Sequence, residues 1–137
     1  MTLTKKDKIS LSDVRMQRAA EFLEDARATL KDDRIKTSVN RSYYAALNAI
    51  RSLLILDGVN PASHDGAITL LSLRFVKTKQ LPTDLIKIFK SLLSRRTDVD
   101  YGDFVSVDYS DAEESLSQAD EIIKVIDTLR KKLIKEL

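Results

Sequence analysis

The sequence predicts an all-α protein, a compact bundle of four to five helices. Over most of the chain, apolar residues recur at three- and four-residue steps, as one buried helix face requires. The three glycines and two prolines fall where this periodicity lapses, so they separate helices. No segment shows the alternation of apolar and polar residues that indicates a half-buried strand.

The first predicted helix runs from about Asp13 to Lys31. Its apolar positions are Met16, Ala19, Leu23, Ala26 and Leu30. A second helix follows, with Asp33 as its N-cap, Asp57 near its end and Gly58 as its stop. Its apolar stripe contains Ile35, Val39, Tyr43, Ala46, Ile50 and Leu53, and predicts the central helix of the bundle.

Two further helices are predicted from their start signals. Ser63 is the expected N-cap of a short helix that ends at about Val76. Pro82 suits the first turn of a fourth helix that ends at about Arg96.

The last helix has the clearest start, because Ser110 and Glu113 match a Ser-x-x-Glu capping box. Its apolar pattern continues to Leu133. We find no internal repeat, low-complexity tract or interdomain linker. The expected organisation is a polar N-terminal segment over residues 1–12 and a single helical domain over residues 13–137.

Composition excludes several classes of chemistry. The absence of cysteine excludes disulfides, iron-sulfur clusters and thiol nucleophiles, and a single His leaves only oxygen ligands for a metal. A calcium loop beginning at Asp98 fails because Gly102 stands where an oxygen ligand is required. We therefore expect no metal and no cofactor. Without a signal-like apolar segment or a membrane-length apolar run, we expect a cytoplasmic protein with no membrane partner.

Charge is distributed unevenly along the chain. The segment from Gly66 to Thr97 carries seven basic residues and one acid, whereas the segment from Asp98 to Glu121 carries nine acids and no base. The basic segment could bind phosphates, and the acidic segment could bind a basic partner or the chain's own basic half. Two solvated helix faces are an equally good interpretation.

Arg95 and Arg96 are the strongest candidates for a binding site. They stand at the predicted end of a helix, beside an acidic loop that continues through Phe104. Guanidinium groups offer two parallel donors that suit a phosphate, and a shared cleft could stabilise charge on a phosphodiester. Alternatively, either arginine could pair with Asp98, Asp100 or Asp103 and hold the loop in place.

The single His64 and the pair Tyr43 and Tyr44 are weaker candidates. His64, next to Asp65, could act as a base, but no second catalytic group is placed by spacing, so a surface or packing role is favoured. Tyr43 and Tyr44 lie within an apolar helix, where packing with one bonded hydroxyl is favoured over stacking on a base.

Several segments together resemble the HEPN family, in particular small stand-alone bacterial and archaeal HEPN proteins. The segments follow in the expected order over about Asp13 to Leu133. They are Arg34 to Ala46, Arg51 to Leu54, Ser63 to Gly66, Phe75 to Thr78 and Arg95 to Asp103.

The resemblance implies an α-helical bundle that forms a homodimer around a cleft. In the ribonucleases of this family, an Arg is followed four to six residues later by a His, and the two cleave RNA without a metal. Here Arg95 or Arg96 matches the Arg, and the His position falls on Asp100 or Tyr101. The resemblance also implies either a toxin paired with a nucleotidyltransferase antitoxin, as many members are, or a protein that only binds nucleotides or partners.

Two functions are therefore predicted. The first is binding of RNA or a nucleotide in an Arg95 and Arg96 cleft, with Asn40 and Arg41 as supporting groups, and possible ribonuclease activity with proton handling by Asp100 and Tyr101. The second is a non-catalytic module that docks a nucleotidyltransferase or another partner through its acidic segment.

Overall fold

The computed structural model describes residues 2–103 and 106–137. Within these ranges the chain forms five α-helices and no strand, which confirms the predicted fold class. The helices are α1 (Lys5–Lys31), α2 (Ile35–Leu56), α3 (His64–Leu71), α4 (Asp84–Tyr101) and α5 (Tyr109–Glu136), and a π-helical segment (Ser72–Val76) continues α3. None of these helices combines the length and the apolar character that crossing a membrane requires.

Helix α2 is the central helix, as predicted. It packs against α1, α3, α4 and α5, and most of its side chains are buried. Tyr43, Leu47, Ile50 and Leu53 are among its fully buried members, and Phe89 of α4 packs on the same core. Because α2 is enclosed on nearly all sides, polar side chains on it are held rigidly in place.

Helix α1 begins eight residues earlier than predicted, so the expected start at Asp13 is wrong. Thr4 Oγ1 accepts a hydrogen bond from Asp7 N at 3.0 Å, and Asp7 Oδ2 accepts one from Thr4 N at 3.1 Å. This capping box satisfies donors in the first turn and starts the helix at Lys5. Ser12 is fully buried and donates to the Ser52 carbonyl oxygen at 2.7 Å.

Two other predicted caps are also wrong. Asp33 has a φ of +58°, which is incompatible with the extended backbone of an N-cap, and Arg34 occupies that position without a side-chain bond. The capping box of α5 is formed by Asp108 and Asp111 instead of Ser110 and Glu113. In contrast, Ser63 caps α3 as predicted, through a 3.0 Å bond from Gly66 N.

Gly58 ends α2 as predicted, with a φ of +79° that favours glycine. Helix α4 starts after Pro82, at Asp84, and continues to Tyr101 before ending at Gly102. The predicted end at Arg96 is therefore wrong, because no helix-breaking residue occurs before Gly102. The first residues of the predicted acidic loop, Asp98 to Tyr101, therefore form the last turn of α4, and Gly102 follows directly after it.

Candidate functional site

The extension of α4 places Arg96 and Asp100 one helical turn apart on the same face. Arg96 Nε lies 2.9 Å from Asp100 Oδ2, within ion-pair distance. Among the described residues Nε has no hydrogen-bond partner, so this contact is electrostatic and its geometry is not that of a hydrogen bond. Asp100 thus holds one edge of the guanidinium without satisfying its donors.

Three tyrosine rings surround the Arg96 guanidinium. Its central carbon lies 5.3 Å from the ring centroid of Tyr43, 5.4 Å from that of Tyr44 and 5.5 Å from that of Tyr101. Arg96 Nη2 also donates to the Tyr44 hydroxyl at 2.8 Å. Arg96 is only 9% exposed, whereas Tyr101 is 72% exposed and forms the solvent side of the cluster.

Asn40 connects the cluster to the central helix. Its side-chain amide donates to Asp100 Oδ2 at 3.0 Å and to Oδ1 at 3.3 Å. Asn40 and Tyr44 are four residues apart on α2, so they present both groups to α4 from one face. Helix α2 therefore fixes the carboxylate and the guanidinium at the same time.

His64, the first residue of α3, joins the cluster through its contact with Tyr43. The Tyr43 hydroxyl is hydrogen-bonded to His64 Nδ1, and the two ring centroids are 5.4 Å apart. Burial lowers the pKa of His64, and the positive charges of Arg96 and Arg51 lower it further. Burial raises the pKa of Tyr43, so its hydroxyl remains protonated and can donate to the neutral imidazole.

Arg96 remains charged in this environment. Burial lowers its pKa, but Tyr44, Asp100 and Tyr101 more than offset that effect and raise the pKa above its ordinary value. The cluster therefore contains a permanent cation next to a neutral imidazole.

The structure does not bring Arg95 to this cluster. Adjacent residues of a helix point about 100° apart, and Arg95 faces α5. Its Nη1 donates to the Asp111 carbonyl oxygen at 3.1 Å and to Ser115 Oγ at 3.0 Å, and its Nη2 lies 3.6 Å from Glu114 Oε1. An open cleft of about 520 Å³ lies on this side of α4. Arg95 therefore holds the start of α5 in place. This agrees with the alternative in which an arginine pairs with nearby acids, but the acids are Asp111 and Glu114, which lie further along the chain than expected.

Arg41 lies next to the cluster. Its guanidinium carbon is 5.6 Å from the ring centroid of Phe22 on α1, and the Phe22 ring is 5.9 Å from that of Tyr44. Of the residues predicted to form a site, the structure thus groups Arg96, Asp100, Tyr101 and Asn40, and leaves Arg41 at the edge.

Tyr43 is fully buried with its hydroxyl bonded to His64, which is the packing role that the sequence favours for it. Tyr44 and His64 contact Arg96 and Tyr43, respectively, in addition to the packing or surface roles that the sequence favours for them. For Tyr44, the sequence contains a signal, because its four-residue spacing from Asn40 places both side chains on one face of the helix. The contact between Tyr43 and His64 depends on how α3 packs against α2, which no local pattern encodes. Phe104, within the predicted loop, lies outside the described residues.

Comparison with known proteins agrees with this architecture. The family model of the HEPN domain matches residues 12–131. A UPF0332 protein of Thermotoga maritima is 30% identical over 113 residues, which cover 82% of this chain and 86% of that protein.

Two archaeal proteins are also similar. A protein of Methanocaldococcus jannaschii named "Putative toxin MJ0142" is 24% identical over 98 residues, covering 72% of this chain and 67% of that protein. The UPF0332 protein PH1297 of Pyrococcus horikoshii is 34% identical over 58 residues, covering 42% of this chain and 41% of that protein. Since the HEPN match spans nearly all of the helical bundle, the chain belongs to the HEPN domain family.

Proposed function

We propose that the Arg96 cluster binds a phosphate group of RNA. The observation that carries this proposal is a guanidinium held among three tyrosine rings, with an exposed ring beside it. A rigid arginine next to an exposed aromatic ring offers the two contacts that unpaired RNA uses, a cation for the phosphate and a surface for stacking a base.

The donors of Arg96 are available on one side. Nε faces Asp100 and Nη2 donates to Tyr44, whereas Nη1 has no partner in the described part of the chain. Asn40 holds the Asp100 carboxylate against Nε, so the carboxylate does not occupy Nη1. A phosphate oxygen at Nη1 would form a charge-assisted hydrogen bond.

Tyr101 completes the binding surface. Its ring is 72% exposed and lies 5.5 Å from the guanidinium carbon. A base stacked on this ring would lie next to the phosphate held by Arg96, and such stacking stabilises binding by about 1–3 kcal/mol per base.

Fluorescence anisotropy with a labelled single-stranded RNA tests the proposal, in buffer containing EDTA. Arg96→Gln should weaken binding by roughly tenfold to a hundredfold, the loss expected for one charge-assisted contact. Arg95→Gln is a matched control, since it removes the same group from the neighbouring position that faces α5. Equal affinities of the wild type and a folded Arg96→Gln protein would disprove the assignment.

The geometry favours metal-independent RNA cleavage as a second function. Asp100 and Tyr101 stand where the HEPN motif has its His, but α3 supplies His64, whose ring lies 5.4 Å from the Tyr43 ring that Arg96 also contacts. Attack of a 2′-hydroxyl on the adjacent phosphate releases the 5′-oxygen, which solvent can protonate, and Arg96 can stabilise the charge on that phosphate. His64 can take the 2′-hydroxyl proton once its Nδ1 gives up the hydrogen bond from Tyr43, because the other ring nitrogen of the neutral imidazole carries its proton.

Cleavage is tested by incubating purified protein with RNA in EDTA and analysing the product ends. Cyclic phosphate ends that disappear in both His64→Gln and Arg96→Gln would support His64 as the base. Cleavage that survives in His64→Gln would exclude it and would leave Asp100 and Tyr101 as the candidates. The Arg95→Gln protein again controls for contaminating nuclease.

We also propose a homodimer and a role in a toxin-antitoxin pair with a nucleotidyltransferase. Support comes from membership of the HEPN family and from the archaeal relative that has toxin in its name. The acidic segment is a less favoured docking surface, because Arg95 already pairs with Asp111 and Glu114 within the chain. Light scattering tests the dimer, and growth inhibition on expression, relieved by a co-expressed neighbouring nucleotidyltransferase, tests the pair.

A further inference from the structure

We propose that three arginines on α1 and α2, namely Arg15, Arg18 and Arg51, form a second phosphate-binding subsite that receives the RNA backbone next to the Arg96 cluster. This inference rests on the proposed RNA binding at Arg96 and deepens it. It selects an RNA strand of several nucleotides over a mononucleotide as the ligand.

The three arginines form one patch. Arg15 Nη1 lies 3.4 Å from the Arg51 carbonyl oxygen, so the Arg15 side chain lies across the end of α2. Arg15 and Arg18 are three residues apart on α1 and therefore share a face. Burial lowers the pKa of Arg15, and the charges of Arg51 and Arg18 lower it further, as expected for cations held close together.

The patch lacks internal compensation. In residues 2–103 and 106–137, none of the three arginines forms an ion pair. Arg51 Nε is buried and has no hydrogen-bond partner in these ranges. Three neighbouring guanidinium groups repel one another, so an anion bound between their exposed edges would relieve that repulsion.

The patch is continuous with the Arg96 cluster because α1 and α2 run antiparallel. Arg15 lies against residue 51, and Phe22, further along the same face of α1, lies against Tyr44. Tyr44 in turn contacts Arg96. The surface therefore passes from Arg51 and Arg15, over the Phe22 and Tyr44 rings, to Arg96.

The spacing indicates the length of the ligand. Arg51 and Tyr44 are seven residues apart, which corresponds to two turns and about 10 Å along α2. A nucleoside monophosphate has one phosphate and would occupy one subsite, whereas the backbone of a strand supplies a phosphate for each subsite. Arg51 and Arg96 both lower the pKa of His64, so the imidazole lies within electrostatic range of both subsites.

The experiment compares a trinucleotide with a twelve-nucleotide single-stranded RNA by anisotropy at several salt concentrations. The test variant is the double substitution Arg15→Gln/Arg18→Gln. Lys132→Gln/Lys135→Gln removes the same charge from two exposed positions near the end of α5 and is the matched control.

We expect the double Arg variant to bind the trinucleotide within about twofold of the wild type and the long RNA at least about tenfold more weakly. The slope of log K against log salt for the long RNA should fall by about 1.4, since each phosphate contact to a single strand contributes about 0.7. In the Lys132→Gln/Lys135→Gln control, both the affinity for the long RNA and the salt slope should change less than in the double Arg variant.

Each outcome is decisive. An unchanged affinity and slope for the long RNA in the double Arg variant would overturn the second subsite and leave the Arg96 proposal intact. An equal loss for both RNAs would show that the arginines act on the Arg96 site and do not form a separate one. If the wild type binds neither RNA, the proposed function itself fails, and the inference fails with it.

Discussion

Removal of the Tyr44 hydroxyl tests how far the Arg96 cluster depends on a single hydrogen bond. In Tyr44→Phe the ring remains, so its contacts with the Arg96 guanidinium at 5.4 Å and with Phe22 at 5.9 Å are retained. Only the 2.8 Å hydrogen bond from Arg96 Nη2 is lost. Because the bond involves a charged donor, its net contribution is about 1.5–3 kcal/mol.

The upper half of this range is expected, because Arg96 is only 9% exposed and water replaces the lost acceptor poorly. For 137 residues, an unfolding entropy of about 2.1 cal/mol/K per residue converts 1 kcal/mol into a shift of about 3.5 °C. The melting temperature should therefore fall by about 8–10 °C.

Urea denaturation followed by circular dichroism measures the free energy of unfolding, and calorimetry measures the melting temperature. Tyr109→Phe is the matched control, since Tyr109 is 45% exposed and its hydroxyl makes no hydrogen bond within the described ranges. A loss below about 0.5 kcal/mol in Tyr44→Phe, comparable with that in the control, would refute the view that this bond secures Arg96.

Three further predictions concern neighbouring features. Arg95→Ala should lower the free energy of unfolding by about 1–3 kcal/mol, as urea denaturation would show, because fully buried Ser115 loses a hydrogen-bond partner. The RNA affinity of this variant, measured by anisotropy, should change less than twofold. Because the pKa of His64 is lowered in the folded protein, the unfolded chain binds a proton at His64 more readily. The neutral imidazole therefore favours the folded state fully above the ordinary pKa of 6.5, and this stability is lost as the pH falls below that value. His64→Gln should therefore reduce the loss of stability between about pH 7 and pH 5, and an unchanged pH profile would contradict the assignment. Gly58→Ala should cost about 1 kcal/mol because φ is +79°, and an unaltered urea midpoint would show that the turn rearranges.

The fold was accessible from the sequence because helix periodicity is a local property. The apolar stripe of α2 predicted the central helix, and Ser63 and Gly58 predicted a start and a stop that the structure confirms. Errors occurred where two polar residues could serve as cap, as for Asp108 and Ser110. The choice between them depends on backbone conformation, which composition does not specify.

The candidate site was predicted in part. Arg96 and Asp100 were recognised because an arginine beside acids on a short stretch is visible in the sequence. The sequence did not distinguish the roles of Arg95 and Arg96. Their side chains point about 100° apart around the helix, and which helix each one faces depends on how the neighbouring helices pack. The contact of His64 with Tyr43 was not predicted, for the same reason.

The sequence by itself determined the all-α class, the central helix and the presence of a basic and aromatic segment at the end of α4, because these follow from the spacing of residues within one helix. Only the tertiary structure decided which arginine faces the tyrosines, which faces α5, and which residues of α1 and α3 lie beside them. Such contacts join positions distant along the chain, and they are fixed by the packing of helices around α2, which depends on all of the buried faces together.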